Sequence, residues 1–338
     1  MSEVANKARR RDHARPSPLR TVTILLGAVA VLAAGCGGGS SHTASTTTPS
    51  TSTTSDSTAA TGDGPVVRPL DVTGAPTEIA DTAAGRVGYR TVGAGSPLLL
   101  VMGLSGSMDD WAPAFVATLA ADHKVVMMDN AGVGDTAPLA SPLSITEMAN
   151  QTSALISTLR LGSVAVLGWS MGGMIAQALA VLHPAQVSKL VLAATQPGTG
   201  HVVPIPPAAA AAVLSANPTE VLSVLFPPSA SAAEANYVAG IISYPSFYQA
   251  SAATVGSQAL AIANWLEGKD PTGLQFGRVR IPTLVADGTL DQLDPSANDR
   301  TLAAIVPGAS LLLFPGAGHA FLFQDSASFL PDVEQFLR

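Results

Sequence analysis

The sequence predicts an α/β fold, a mostly parallel sheet flanked by helices with an inserted helical cap, and three observations carry that expectation. Short apolar runs alternate with stretches of helical period through the long C-terminal part of the chain. One of those runs, Val164-Ala165-Val166-Leu167-Gly168, passes through Trp169-Ser170-Met171-Gly172 straight into a helical pattern. Between about residues 195 and 276 the alternation stops, and alanine, proline and long apolar side chains take over.

In chain order, strands are expected near residues 87–92, 97–102, 124–129, 163–168, 188–194, 281–286 and 309–314, where β-branched and leucine-rich runs are bounded by turn residues. Helices are expected near 110–121, 145–160, 171–183, 296–305 and 326–337, where apolar residues return at helical spacing. Ser107, Asp109 and Asp110 precede Trp111 and read as cap and first-turn residues, because oxygens there satisfy free N–H groups and suit the positive end of the helix dipole. The stretch 195–276 contains the apolar segments Ala208 to Val213, Val221 to Phe226 and Ala259 to Leu266, and reads as a cap that would exclude water and set substrate choice. Phe226, Tyr237, Tyr244, Phe247, Tyr248 and Trp265 either line an apolar pocket or fill the core between the cap helices. No internal repeat is visible.

The motif that carries chemistry is Gly168-Trp169-Ser170-Met171-Gly172. A strand that reverses sharply into a helix crowds its neighbours, and only residues without a Cβ fit beside the turn. Ser170 would then stand at the helix start with its hydroxyl free to reach a carbonyl carbon, while the Met171 N–H and the helix dipole face the oxygen that becomes negative. The bland alternative is a glycine-bordered serine in an ordinary turn.

A serine hydroxyl is a weak nucleophile near neutral pH and needs a histidine base oriented by a carboxylate, in the chain order Ser, acid, His. The run Ile281 to Ala286 ends in a turn rich in carboxylates, and Asp291 is the expected acid. Its competitors suit structural roles: Asp287 lies beside Gly288 in the turn, and Asp294, ahead of Pro295, fits a helix cap. The run Ser310 to Phe314 leads through Pro315-Gly316-Ala317-Gly318 to His319, the expected base. His201 lies in a Pro/Gly-rich stretch, His183 precedes Pro184 at a helix end, and His123 precedes the serine. A second oxyanion donor is expected where Pro97 to Met102 breaks into Gly103-Leu104-Ser105-Gly106, with the Leu104 N–H turned inward.

These motifs, in this order, resemble the α/β-hydrolase family over roughly residues 76 to 338. The resemblance implies Ser170 as nucleophile, Asp291 as acid, His319 as base, and the N–H groups of Leu104 and Met171 as oxyanion hole. The segment Val125 to Thr136 resembles the family's Asp-x-Arg-Gly-x-Gly-x-Ser motif, with Ala131 in place of Arg and Thr136 in place of Ser, and implies a structural Asp129. Met102 stands where many relatives carry histidine. Serine at the elbow separates the chain from haloalkane dehalogenases and epoxide hydrolases, which use aspartate. The likeness is to esterases, lactone hydrolases and the cofactor-free haloperoxidase-like group. It implies hydrolysis of an ester or lactone through an acyl-enzyme. The alternatives are perhydrolysis, or amide or carbon–carbon cleavage, on the same triad, and a non-catalytic envelope-binding lipoprotein.

The front of the chain is a separate matter. Lys7, Arg9, Arg10, Arg11, Arg15 and Arg20 precede the apolar run Thr21 to Ala34, as in a secretion signal. The single cysteine of the 338 residues, Cys36, follows Leu32-Ala33-Ala34-Gly35, which resembles a lipobox with Ala33 where relatives prefer leucine. Residues 1–35 are thus expected to be a lipoprotein signal peptide and Cys36 the lipidated residue, holding the chain on the extracytoplasmic face of a bacterial membrane. Residues 36–70, mostly Gly, Ser and Thr up to Thr61, are expected to be a disordered stalk, and 71–338 the catalytic domain. The net charge of −7 becomes more negative once the six leader cations go with only Glu3 and Asp12. Such a surface repels nucleic acid. No dinucleotide fingerprint, phosphate loop or metal-ligand spacing occurs, and no cofactor is implied.

Overall fold

A computed structural model describes residues 70–245 and 247–338. The expected signal peptide, Cys36 and the stalk as far as residue 69 lie outside the described residues.

Eight strands, β1 (Glu78–Thr82), β2 (Gly85–Val92), β3 (Ser96–Val101), β4 (His123–Met128), β5 (Val164–Trp169), β6 (Val187–Ala193), β7 (Thr283–Gly288) and β8 (Ser310–Phe314), form one sheet in the order β1-β2-β4-β3-β5-β6-β7-β8. β2 runs antiparallel to both β1 and β4, and all other pairs are parallel. Every expected strand is present. β1 was not expected, and its composition shows why: of Glu-Ile-Ala-Asp-Thr only Ala80 is buried, so this edge strand carries no apolar run.

The side-chain alternation of β3 shows how the sheet is covered. Leu98 and Leu100 point into one core and Leu99 and Val101 into the other. The first core is closed by α1 (Pro113–Leu119) and α10 (Ser326–Leu337), through Phe115, Leu119, Phe329 and Val333. The second is closed by α2 (Ile145–Thr158), α3 (Met171–Leu182) and α8 (Ala297–Ile305), through Ile156, Ile175, Leu179 and Leu302. The short α9 (Phe321–Gln324) follows β8. The expected first helix is in fact two pieces, a 3-10 turn at Met108–Asp110 and then α1, because Pro113 starts a helix afresh.

Between β6 and β7 the chain inserts α4 (Pro207–Val213), α5 (Pro218–Leu225), α6 (Ser231–Ile241) and α7 (Ala252–Leu266). These are the helical cap read from the sequence. Phe226, Tyr237, Tyr244 and Trp265 are buried in the cores and Phe247 packs against one of them, so these cap aromatics are core residues. Tyr237 stacks on Phe323 with ring centroids 4.7 Å apart and donates to Asp110 O at 3.2 Å. Tyr244 donates to Trp111 O at 2.9 Å, and the buried Trp265 donates to Gln196 O at 3.1 Å. No helix among the described residues is long and apolar enough to cross a membrane.

The topology creates the site. From β3 the chain goes to β4 on one side and then to β5 on the other, so the loops leaving β3 and β5 diverge at the carboxyl edge of the sheet. That is where open α/β sheets form a ligand crevice.

Candidate active site

Ser170 is the single residue between β5 and α3, with φ +57° and ψ −123°. A side-chain-bearing residue holds such a conformation only where its surroundings enforce it. Here its N–H donates to Ala193 O at 2.9 Å, and its carbonyl accepts from Gly173 N at 2.9 Å and from Met174 N at 3.3 Å. The flanking glycines are required by close packing. A Cβ at Gly168 would lie 2.4 Å from Gly172 O, and one at Gly172 would lie 2.0 Å from Val101 O.

The loop after β3 passes directly beside this elbow, for a Cβ at Gly103 would lie 3.1 Å from that of Ser170. Leu104, Ser170 and His319 all line one cavity of about 210 Å³, whose other walls are almost entirely apolar, among them Met174 from α3 and Ile262 and Leu266 from α7. Among the described residues the Ser170 hydroxyl makes no hydrogen bond; it opens into the cavity.

His319 is buried, in the turn between β8 and α9. Its Nδ1 donates to Asp291 Oδ2 at 2.6 Å. Asp291 Oδ1 accepts the N–H groups of Leu293 at 2.6 Å and Asp294 at 2.8 Å, so the carboxylate is fixed by its own loop. The carbonyl of His319 accepts from Trp169 Nε1 at 3.0 Å, which ties the histidine loop to the residue before Ser170. The serine, acid and histidine singled out in the sequence thus meet at one end of the sheet, although Asp291 and His319 lie 28 residues apart and Trp169 a further 150 from the histidine. The other histidines among the described residues are elsewhere. His123 pairs with Glu334, His183 faces Asn150 of α2, and His201 is exposed.

The residues assigned to structure behave so, with the exception of Asp294. Ser107 and Asp110 form a reciprocal cap on the 3-10 turn. Asp129 accepts from Met108 N at 2.7 Å, and burial pushes its carboxyl up to about 6. Thr136 stands in for serine, accepting from Gly88 N and donating to Asp129 O, both at 2.9 Å. Asp294 does not cap a helix: α8 starts at Ser296 without a side-chain cap, and both Asp294 oxygens are buried without a partner.

Two features escaped the sequence. Asn130 Nδ2 donates to Met102 O at 2.7 Å and anchors the start of the loop that carries Leu104. Asp287, Asp294 and Asp299 form a buried trio behind Asp291, with oxygens within 4.8 Å of one another. It is the one group among the described residues that could offer three ligands to a metal ion. Burial raises all three carboxyls, Asp299 to about 8, and repulsion from neighbouring carboxylates, Asp291 among them, adds to it. Nothing in the spacing 287, 294, 299 announces the trio, since it arises only when α8 folds back on the end of β7.

The chain belongs to the alpha/beta hydrolase fold family, whose model matches residues 96–326. It is 30% identical over 250 residues to the poly(3-hydroxyalkanoate) depolymerase of Ectopseudomonas oleovorans, an alignment that covers 72% of this chain and 84% of that one. Among solved structures, an alpha/beta hydrolase fold protein from Chitinophaga pinensis superimposes with a TM-score of 0.71 at 26% identity, over 78% of this chain and 98% of that one. Est816, described as an N-acyl homoserine lactone degrading enzyme, superimposes with a TM-score of 0.61 at 25% identity, over 77% of this chain and all of that one.

Proposed function

We propose that the chain is a serine hydrolase that cleaves a carboxylic ester or lactone with an apolar acyl group. The observation that carries this reading is the Asp291–His319 hydrogen bond opening on the same apolar cavity as the strained Ser170. With Nδ1–H committed to Asp291, the lone pair of the imidazole is on Nε2, where a base must have it. His319 takes the proton of Ser170 as Oγ bonds to the substrate carbonyl carbon. The N–H groups of Leu104 and Met171 stabilise the resulting oxyanion. Collapse breaks the bond to the leaving alkoxide, which receives the proton from His319. Water then repeats the sequence on the acyl-enzyme, with His319 again as base, and frees Ser170 and the carboxylic acid. The relatives named for depolymerisation of a polyester and for degradation of a lactone support ester chemistry.

The domain reading goes with this function. Residues 71–338 form the catalytic domain, and residues 1–35, Cys36 and the stalk would deliver it to the outer face of the membrane on a lipid anchor.

Hydrolysis of p-nitrophenyl esters from acetate to long acyl chains tests the reading, with Ser170→Ala as control. Turnover and fluorophosphonate labelling are expected in the unmutated protein and absent from the variant. An unmutated protein that neither turns over nor labels would favour a binding lipoprotein.

A further inference from the structure

The loop that carries Leu104 holds an unfavourable conformation. Ser105, the next residue, has φ +61°, a region costly for a residue with a Cβ, so contacts outside the loop must hold it there. One tether is Asn130, on the Met102 carbonyl. The other comes from the cap. Gln258 of α7 is fully buried, and its Oε1 accepts the Ser105 N–H at 2.8 Å, while its Nε2 donates to Ala131 O at 3.3 Å.

The same helix makes a second contact of this kind. Thr254, four residues earlier and on the same face, donates from Oγ1 to Gly132 O at 3.1 Å. One face of α7 is thus bonded to both loops of the crevice, the one after β3 and the one after β4. Ala131, whose carbonyl accepts from Gln258, is the position at which the sequence carries alanine where the family motif has arginine.

We propose that Gln258 is a positioning residue that aims the Leu104 N–H into the oxyanion hole and makes that aim depend on seating of the cap, a role that rests on the ester-hydrolase reading of the same site. The Ser105 N–H and the Leu104 N–H are separated by one pair of backbone torsions. Fixing the first restricts the second, and a misplacement of about 1 Å at a reacting centre can cost on the order of a hundredfold. Gln258 does not line the cavity, so it acts on the loop and not on the acyl group.

The test is steady-state hydrolysis of p-nitrophenyl acetate, too short to sense the cap wall, by the full chain and by Gln258→Met, which keeps size and removes both hydrogen bonds. The variant is expected to lose about tenfold or more in kcat with little change in KM, and its fluorophosphonate labelling should slow in parallel. Gln258→Glu, which still offers an oxygen to the Ser105 N–H, should recover part of the loss. If Gln258→Met does not fold, Gln258→Asn carries the test, because it keeps the amide and withdraws it by one methylene. An active protein whose folded Met or Asn variant has unaltered kcat, or changes only KM or Tm, overturns the proposal alone. An unmutated protein that neither hydrolyses nor labels overturns the hydrolase reading and the proposal with it.

Discussion

His319 Nδ1 lies 2.6 Å from Asp291 Oδ2, and the other oxygen of that carboxylate is held by two backbone N–H groups of its own loop. The carboxylate therefore cannot swing away, and the imidazole is fixed in one tautomer. Asp291→Asn keeps the shape but turns an amide toward Nδ1, favouring the tautomer with the proton on Nε2. A fall in kcat of about 10³- to 10⁴-fold is expected, with KM little changed. Kinetics on p-nitrophenyl acetate check this. A loss under tenfold would move the orienting role away from Asp291, with Asp287 the next carboxylate to examine.

The elbow glycines give a stability prediction with an internal control. A Cβ at Gly172 would meet the backbone carbonyl of Val101 at 2.0 Å, and a backbone cannot retreat as a side chain can. Gly172→Ala is expected to lower stability by about 3 kcal/mol or more, beyond the usual range for overpacking, and to abolish turnover. Gly256, exposed in α7, has nothing within 4 Å of a built Cβ. Gly256→Ala should stabilise the protein by up to about 1 kcal/mol through helix propensity. Thermal unfolding of the two variants compares them directly, and equal Tm values would refute the steric account.

The sequence announced those parts of the site that local chain geometry dictates. Ser170 was legible because an elbow needs two glycines at fixed spacing. Asp291 and His319 were legible because each lies in the loop that follows a strand of the same sheet, at whose carboxyl edge the crevice lies. Chain order alone could not separate Asp291 from Asp287; in the structure it is Asp291 whose carboxylate meets His319 Nδ1. The cap aromatics could not be assigned either, since a buried tyrosine and a pocket tyrosine look alike until Tyr237 is seen against Phe323. Gln258 was invisible for a similar reason: a glutamine in a helix suggests solvent, and only the packed fold places it between two loops.

Burial has left several acids reluctant to ionise, and this sets how stability changes with pH. Asp110 is raised to about 7, Asp129 to about 6 and Asp299 to about 8, in each case chiefly by desolvation. In the unfolded chain these carboxyls ionise near 3.8. Between pH 4 and 8 the native protein therefore holds protons that the unfolded chain has lost, so their stabilisation is complete below about pH 4 and is lost as pH rises through 6 to 8. Each unit of elevation corresponds to about 1.4 kcal/mol. Tm should be higher at pH 5 than at pH 8, and Asp299→Asn, which mimics the protonated acid, should narrow the difference. A Tm that rises from pH 5 to 8 would contradict the ionisation pattern of these acids.

On the ester-hydrolase proposal, the cavity is expected to set the acyl preference. Its volume of about 210 Å³ is nearly all bounded by apolar side chains, with Ile262 and Leu266 of α7 facing Val213 and Leu214 at the end of α4. Each methylene buried there is worth about 0.8 kcal/mol, close to fourfold in kcat/KM if it is desolvated in the transition state. Along a series of p-nitrophenyl esters, kcat/KM should climb by about that factor per methylene while the cavity fills and then fall. Ile262→Ala removes part of the cap wall without touching Ser170, His319 or Gln258. It should move the maximum to a longer chain and leave acetate turnover nearly constant. Ile262 is only half buried, so its cost in stability should fall below the ~2–5 kcal/mol of a fully buried isoleucine. A maximum that stays at the same chain length would mean that the acyl group lies elsewhere, along the open side of the crevice between the β3 loop and α3.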